Sequence, residues 1–210
     1  KLAYEFVERT QRICEGANYS VREYNLKLDN IMDDQRTTIY SLRNKILSSN
    51  DLTAILIPMM KDHIEHIVRD HCLEELTPDE WNIDSMDSKL LAAFPQSVLD
   101  GEQVFTTRIE DVQDIQSAVQ PLVDKYVALI EEKREDDKTL FEMRQLLIST
   151  VDQYWLDHID AMERLKEGVG LRSYSGEDPM RQYQREGLEL FTKAYENIEE
   201  MVTKRARGLF

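Results

Sequence analysis

Long stretches of uninterrupted helical periodicity limit what this chain can fold into more than any other feature of its sequence. Residues 1–48 contain no proline and a single glycine, Gly16. Apolar side chains recur at Val21, Tyr24, Leu28, Ile31, Ile39, Leu42 and Ile46, with one polar break at Gln35. Steps of three and four residues put these positions on one stripe of a single helix, because a turn takes 3.6 residues. A helix of about 45 residues at 1.5 Å rise is on the order of 70 Å long. Gly16 marks either a bend or a point of close packing.

Two later stretches repeat the pattern. Leu140, Met143, Leu147, Val151, Tyr154, His158, Met162 and Leu165 form one stripe, and Met180, Tyr183, Gly187, Leu190, Ala194, Ile198 and Met201 form another. Asp178-Pro179 is an N-cap followed by proline at the first helical position. Gly168 and Gly170 suit the C-cap of the preceding helix. Two amphipathic helices joined by about ten residues pack antiparallel, since each needs a neighbour to cover its stripe. The segment GVGLRSYSGEDPM, residues 168–180, is then the tip of a helical hairpin, with Tyr174 in its middle.

The region between is broken into shorter pieces. Ser48–Asp51 reads as a stop followed by an N-cap. Leu52–Leu76 is helical with an irregularity expected at Pro58. Thr77-Pro78-Asp79-Glu80 starts another helix, Phe94-Pro95 ends it, Gly101 lies in a loop, and residues 106–133 are helical again. The expected architecture is all-α: a long helix over 1–49, a module of short helices over 50–137, and a two-helix hairpin over 138–210.

Composition agrees with this class. The chain has 7 glycines and 5 prolines in 210 residues, and 32% of its residues are charged, which suits helices with long solvated faces. A net charge of −15 argues against general nucleic-acid binding, which draws on clustered Lys and Arg. The basic group Lys204, Arg205 and Arg207 suits a helix C-terminus. No apolar run reaches the roughly 18 residues of a spanning helix, and the first residues carry no signal-peptide pattern. Two cysteines, Cys14 and Cys72, form no disulfide framework or metal motif, in keeping with a reducing, cytoplasmic setting. The helical pattern is already running at Lys1, so the chain reads as a piece of a longer one.

Phosphate-binding glycine loops and a nucleophile elbow are absent from the sequence. His63, His66, His71 and Cys72 are close in sequence, and His63 and His66 share a helix face. They lack a placed fourth ligand, and the simpler reading is a polar face with scattered histidines. Asp33-Asp34-Gln35-Arg36 could contact a cation or another domain, but such runs are more often surface ion pairs. By spacing, Trp155, His158 and Met162 are packing residues. Tyr174 is different. Loop tips are usually small and polar, so a tyrosine beside Leu171, Arg172 and Ser173 either presents a contact or folds back on its own hairpin.

Several stretches together resemble the C-terminal half of the SecA family, the ATP-driven motors of bacterial preprotein export. EGANYSVREYNLKLDNIMDDQRTTIYSLRNKIL (15–47) is similar to the family's long helical-scaffold helix, including the Asp-Gln-Arg run at Asp34, Gln35 and Arg36 beside Asp33. VDQYWLDHIDAMERLKEGVGLRSYSGEDPMRQYQREGLELF (151–191) is similar to its two-helix finger, with Trp155, His158, Met162, the G-x-x-L-R-x-Y run and Asp-Pro in place. Residues 50–137 occupy the place of the helical wing.

The resemblance implies a non-catalytic part of a motor. Its finger tip, at Leu171, Arg172, Ser173 and Tyr174, would meet unfolded preprotein and a SecYEG-type channel. The hairpin would restrain ATP turnover in the parent's upstream nucleotide-binding domains, which bind ATP and Mg; no cofactor is expected in the 210 residues. A cytoplasmic location, peripheral to the inner face of the plasma membrane, would follow. Departures are concentrated at the tip. Leu165-Lys166 stands for the family's Leu-Arg, Arg172-Ser173-Tyr174 for Arg-Gly-Tyr, and Ser175-Gly176-Glu177 for Ala-Gln-Lys or similar. The more acidic tip fits an accessory SecA paralogue as well as ordinary divergence. The family's zinc-binding tail has no counterpart in these residues. The competing readings are a stand-alone helical interaction protein and a metal enzyme built on His63, His66 and His71.

Overall fold

A computed structural model describes residues 2–72, 77–99, 101, 103–105, 109–172 and 178–210. Every regular element among the described residues is helical. α1 spans Leu2–Ser48, α2 Thr53–His71, α3 Ile83–Ala93, α4 Val112–Glu132, α5 Asp137–Arg172 and α6 Pro179–Ala206, with a 3₁₀ turn at Pro78–Glu80 before α3. The fold is all-α, as the periodicity requires.

Short polar side chains start these helices, though not everywhere the sequence places them: Thr77-Pro78-Asp79-Glu80 forms a 3₁₀ turn apart from α3, which begins at Ile83, and α4 begins at Val112 and not at residue 106. Asp51 accepts the Thr53 N–H at 3.1 Å and its hydroxyl at 2.5 Å, although the N-cap position itself is Leu52. The Glu80 carboxylate accepts the Thr77 N–H at 2.9 Å, which closes the turn that Pro78 opens. Asn82 accepts the Ser85 N–H at 3.0 Å. Asp111 and Asp114 exchange backbone-to-carboxylate bonds of 2.9 and 3.2 Å, an aspartate version of the capping box. Asp178 accepts the Met180 N–H at 3.0 Å.

One further local expectation is corrected, and two prolines are accommodated inside helices. Gly168 and Gly170 do not cap α5, which continues to Arg172; the ladder outweighs the cost of two glycines, of order 1 kcal/mol each. Pro58 lies inside a continuous α2, and Pro121, which the periodicity passed over, lies inside α4. Each removes one ladder donor from a helix whose apolar face is buried. Gly16 sits within α1, and a Cβ there would meet nothing within 4 Å.

Contacts divide the chain into two units, residues 1–41 with 158–191, and residues 42–157 with 192–210. The first unit contains α1 up to Ser41, the second half of α5 and the first half of α6. Its core is Leu28, Met162, Leu165, Val169 and Tyr183, with Ile31, Met32, Met180 and Leu190 packed against it. The α1 stripe is therefore covered from Leu28 onward, not from Val21. Residues 4–27 are all exposed, including Val21 at 59% and Tyr24 at 37%. The covering helices run out there: Leu28 packs with Val169 and Tyr183, near the end of α5 and the start of α6.

The second unit contains the remaining helices. α2 packs on α3 and α4, and Leu56, Met60, Met86, Leu90, Ile115 and Ile130 are completely or almost completely buried. Tyr126 stands edge-on between Phe94 and Phe210, at centroid distances of 6.2 and 6.0 Å. Arg144 of α5 closes the C-terminus of α1, donating to the carbonyls of Leu47 at 2.7 Å and Ser49 at 2.8 Å. A cation at that end meets both the orphan carbonyls and the helix dipole.

Candidate functional site

The α5–α6 hairpin of the first unit is the candidate site, and its centre is polar. Gln35 on α1 is 7% exposed and His158 on α5 is 3% exposed. Gln35 Nε2 donates to the Gly187 carbonyl of α6 at 3.2 Å. The amide oxygen therefore faces α5, where His158 Nε2 lies 2.8 Å from Gln35 Oε1. An amide oxygen only accepts, so Nε2 carries the proton. The His158 ring also stands edge-on to Phe191, centroids 5.4 Å apart. Burial pushes the His158 pKa below its usual value, which keeps the imidazole neutral. One glutamine thus bonds to both hairpin helices at once.

Gly187 makes this approach possible. A Cβ built on it would lie 2.7 Å from Met162 Cε and 3.3 Å from Met162 Sδ. Met162 is 1% exposed, so its thioether fills the space a side chain would need. Gly187→Leu is expected to cost about 2 kcal/mol by overpacking, read as a lowered midpoint in chemical denaturation. Gly187→Ala should cost less, because only the flexible end of Met162 must move and alanine favours the helix.

The other residues singled out from sequence fall in different places. Asp33 and Arg36 pair with each other at 2.5 Å on the surface, an i, i+3 contact worth little by itself. Trp155 is buried at 7% exposure and belongs to the second unit. Leu171 and Arg172 are the last two residues of α5. Ser173 and Tyr174 lie outside the described residues. Sequence reasoning missed Gly187 and Phe191 as partners of the polar centre; the only signal was a glycine on an otherwise bulky stripe.

The histidines of α2 take separate partners in the second unit. His71 Nδ1 donates to the Ile67 carbonyl at 2.7 Å, leaving Nε2 to accept from Ser85 Oγ at 3.1 Å. His66 Nδ1 lies 3.4 Å from Glu199 Oε2. His63 lines a cavity of about 290 Å³ with His66, Lys89, Glu196, Glu200 and Lys204. No group of three metal-donor side chains converges among the described residues. Burial pushes the His63 pKa down to about 4. Burial, with Asp62 and Glu196 adding negative charge, pushes Glu199 up to about 7. Among the described residues no helix is long and apolar enough to cross a membrane.

Comparison of the sequence with known proteins identifies the family. Residues 1–207 match the SecA Wing and Scaffold domain. Protein translocase subunit SecA 2 of Geobacillus thermodenitrificans is 40% identical over 200 residues, covering 95% of this chain and 25% of that protein. The SecA 2 subunit of Bacillus anthracis is 38% identical over 208 residues, covering 98% and 26%. Protein translocase subunit SecA of Syntrophus aciditrophicus is 34% identical over 203 residues, covering 95% and 23%. The chain thus spans about a quarter of the length of the relatives it matches. With a family match running through nearly all of its residues, the chain belongs to the SecA wing and scaffold family.

Proposed function

We propose that this chain is the scaffold, wing and finger portion of a SecA-type protein-translocating ATPase. It works as a mechanical and regulatory part of the motor. Residues 1–49 form the scaffold helix, 50–137 the wing, and 138–210 the finger with the end of the scaffold. The finger tip, Leu171 to Tyr174, contacts unfolded preprotein and a SecYEG-type channel. Trp155, His158 and Met162 on the finger and Asp33, Gln35 and Arg36 on the scaffold helix are the family-motif residues, and of these Gln35 and His158 join the hairpin to α1. ATP and Mg bind in upstream domains of the parent protein, which works in the cytoplasm against the inner face of the plasma membrane. The observation that carries this reading is the wing-and-scaffold match over residues 1–207, on a chain whose α5 and α6 form a hairpin packed on α1. The identities of 36–40% to several SecA 2 subunits support an accessory motor as the parent.

The test is a photoreactive residue at position 174 of the full-length parent, with a translocating substrate and channel-bearing membranes. An ATP-dependent crosslink to the channel or the moving polypeptide is expected. Products confined to residues 1–210 would overturn the tip assignment. Tyr174→Ala in the 210-residue chain should leave its thermal unfolding unchanged, as befits a surface loop change. A drop of several degrees would make Tyr174 a packing residue.

A further inference from the structure

We infer that Gln35 is a positioning residue that sets the axial register of both hairpin helices against α1. Around it lie the apolar Leu28, Met162, Leu165, Val169 and Tyr183, with Ile31, Met32, Met180 and Leu190. Among the described residues the other buried polar side chain of this unit besides His158 is Gln182, which bonds within α6 to Glu186. Apolar contacts are non-directional, and their ridges repeat every turn. For α6 a slide of one turn would replace one apolar contact by another at small cost, whereas α5 is also held to α1 by Arg144 on the Leu47 and Ser49 carbonyls and by Arg43 on Asp152. Gln35 removes that freedom. Its two amide ends bond to different helices, to the Gly187 carbonyl of α6 and to His158 of α5. A slide of either helix strands a buried donor or acceptor, which apolar surroundings cannot satisfy.

The glycine sharpens the lock. One turn away from Gly187 on either side are Tyr183 and Phe191. Either would bring a ring to the place where a Cβ already falls within 2.7 Å of Met162. A single buried polar side chain fixing the register of packed helices is a well-attested device. Here it holds two helices through one residue, and both partners lie far away in sequence. The functional consequence, a fixed finger position relative to the scaffold helix, rests on the function proposed above; the lock itself does not.

The test is made on the 210-residue chain with Cys14 and Cys72 replaced by alanine. Spin labels are placed at Asn30 and Arg164 in one sample, and at Asn30 and Gln184 in another. The unmutated core should give one narrow distance distribution for each pair, and His158 should show the Nε2-protonated tautomer in its ¹⁵N shifts. The double variant Gln35→Met with His158→Phe removes both polar partners together. It should keep its helical content while a second population appears, displaced by about 5 Å, one helical turn. Gln35→Asn is one methylene too short to reach both helices. It should broaden the same distributions and covers the case in which the double variant fails to fold. Single, unshifted peaks in the folded variants would overturn the lock. If the peaks shift but Gln35→Asn in the full-length parent leaves crosslinking from position 174 unchanged, the lock stands and its role in aiming the finger is lost.

Discussion

A carboxylate at position 147 is expected to abolish cooperative thermal unfolding of the second unit. Leu147 is fully buried on α5, on the same stripe as Met143 at 1% and Val151 at 0% exposure. Leu147→Asp removes apolar volume, which alone costs roughly 2–5 kcal/mol. It then adds a carboxyl group that must either ionise without a partner or take up a proton. The sum exceeds about 4 kcal/mol, against a total domain stability of about 5–15 kcal/mol. Circular dichroism during heating checks it, and a sharp transition like that of the parent chain would mean the stripe is misassigned. From the stripe alone, Leu190→Asp looks equally damaging. The structure separates the two, because Leu190 is only partly buried at the edge of the first unit's core. An aspartate there can turn its charge toward water, so a loss of about 1–2 kcal/mol is expected.

The second large effect is hidden by cancellation. Glu199 titrates near 7 in the folded chain against 4.5 in an unfolded one. A raised carboxyl pKa contributes stability that is fully present below pH 4.5 and is lost as pH rises through 7. His63 titrates near 4 against 6.5. A depressed imidazole pKa contributes stability that is present above pH 6.5 and is lost as pH falls through 4. Between pH 4.5 and 6.5 the two slopes have opposite sign and nearly equal size. The pair therefore adds almost no net pH dependence in that window, even though each group alone would add a clear one. Glu199→Gln should expose the His63 slope. Relative to the unmutated chain, the variant should gain on the order of 2–3 kcal/mol in unfolding free energy between pH 4.5 and 6.5. Urea titrations at the two pH values measure that difference, and parallel curves for the two proteins would refute the assignment. Taking the difference between proteins cancels the groups they share, among them Asp51 and Asp136, whose pKa values are held down chiefly by hydrogen bonds from Thr53 and Thr139.

The helices themselves were legible because their signals are local. Apolar spacing identified α1, α5 and α6 nearly end to end, and Asp178-Pro179 marked the start of α6 where the Asp178 carboxylate accepts the Met180 N–H. The errors fell where one local signal competed with another. Gly168 and Gly170 have the composition of a cap, yet the helical ladder runs through them to Arg172. Thr77-Pro78-Asp79-Glu80 has the composition of a helix start, yet it closes only a 3₁₀ turn and α3 begins at Ile83. At the two glycines propensity yields to the helical ladder. The finger and wing assignments came from resemblance in the quoted motifs and not from periodicity, and the family match over residues 1–207 bears out the family.

What the sequence determined by itself is the set of helices, their apolar faces and the family, all encoded in residues near one another along the chain. Which parts of those faces are covered was decided by tertiary structure. Val21 and Leu28 are equivalent on the stripe, yet only Leu28 lies beneath the hairpin. The polar centre was decided in the same way. Gln35 looked like a defect in an apolar stripe, because its partners are 123 residues away at His158 and 152 residues away at Gly187. Glu199 carries no sequence mark that separates it from Glu200, its neighbour on α6. Burial raises the pKa of Glu199, while a hydrogen bond from Lys204 holds that of Glu200 down. A hydrogen bond or a desolvation cost depends on what lies across the packed interface, and that is fixed only when the helices meet.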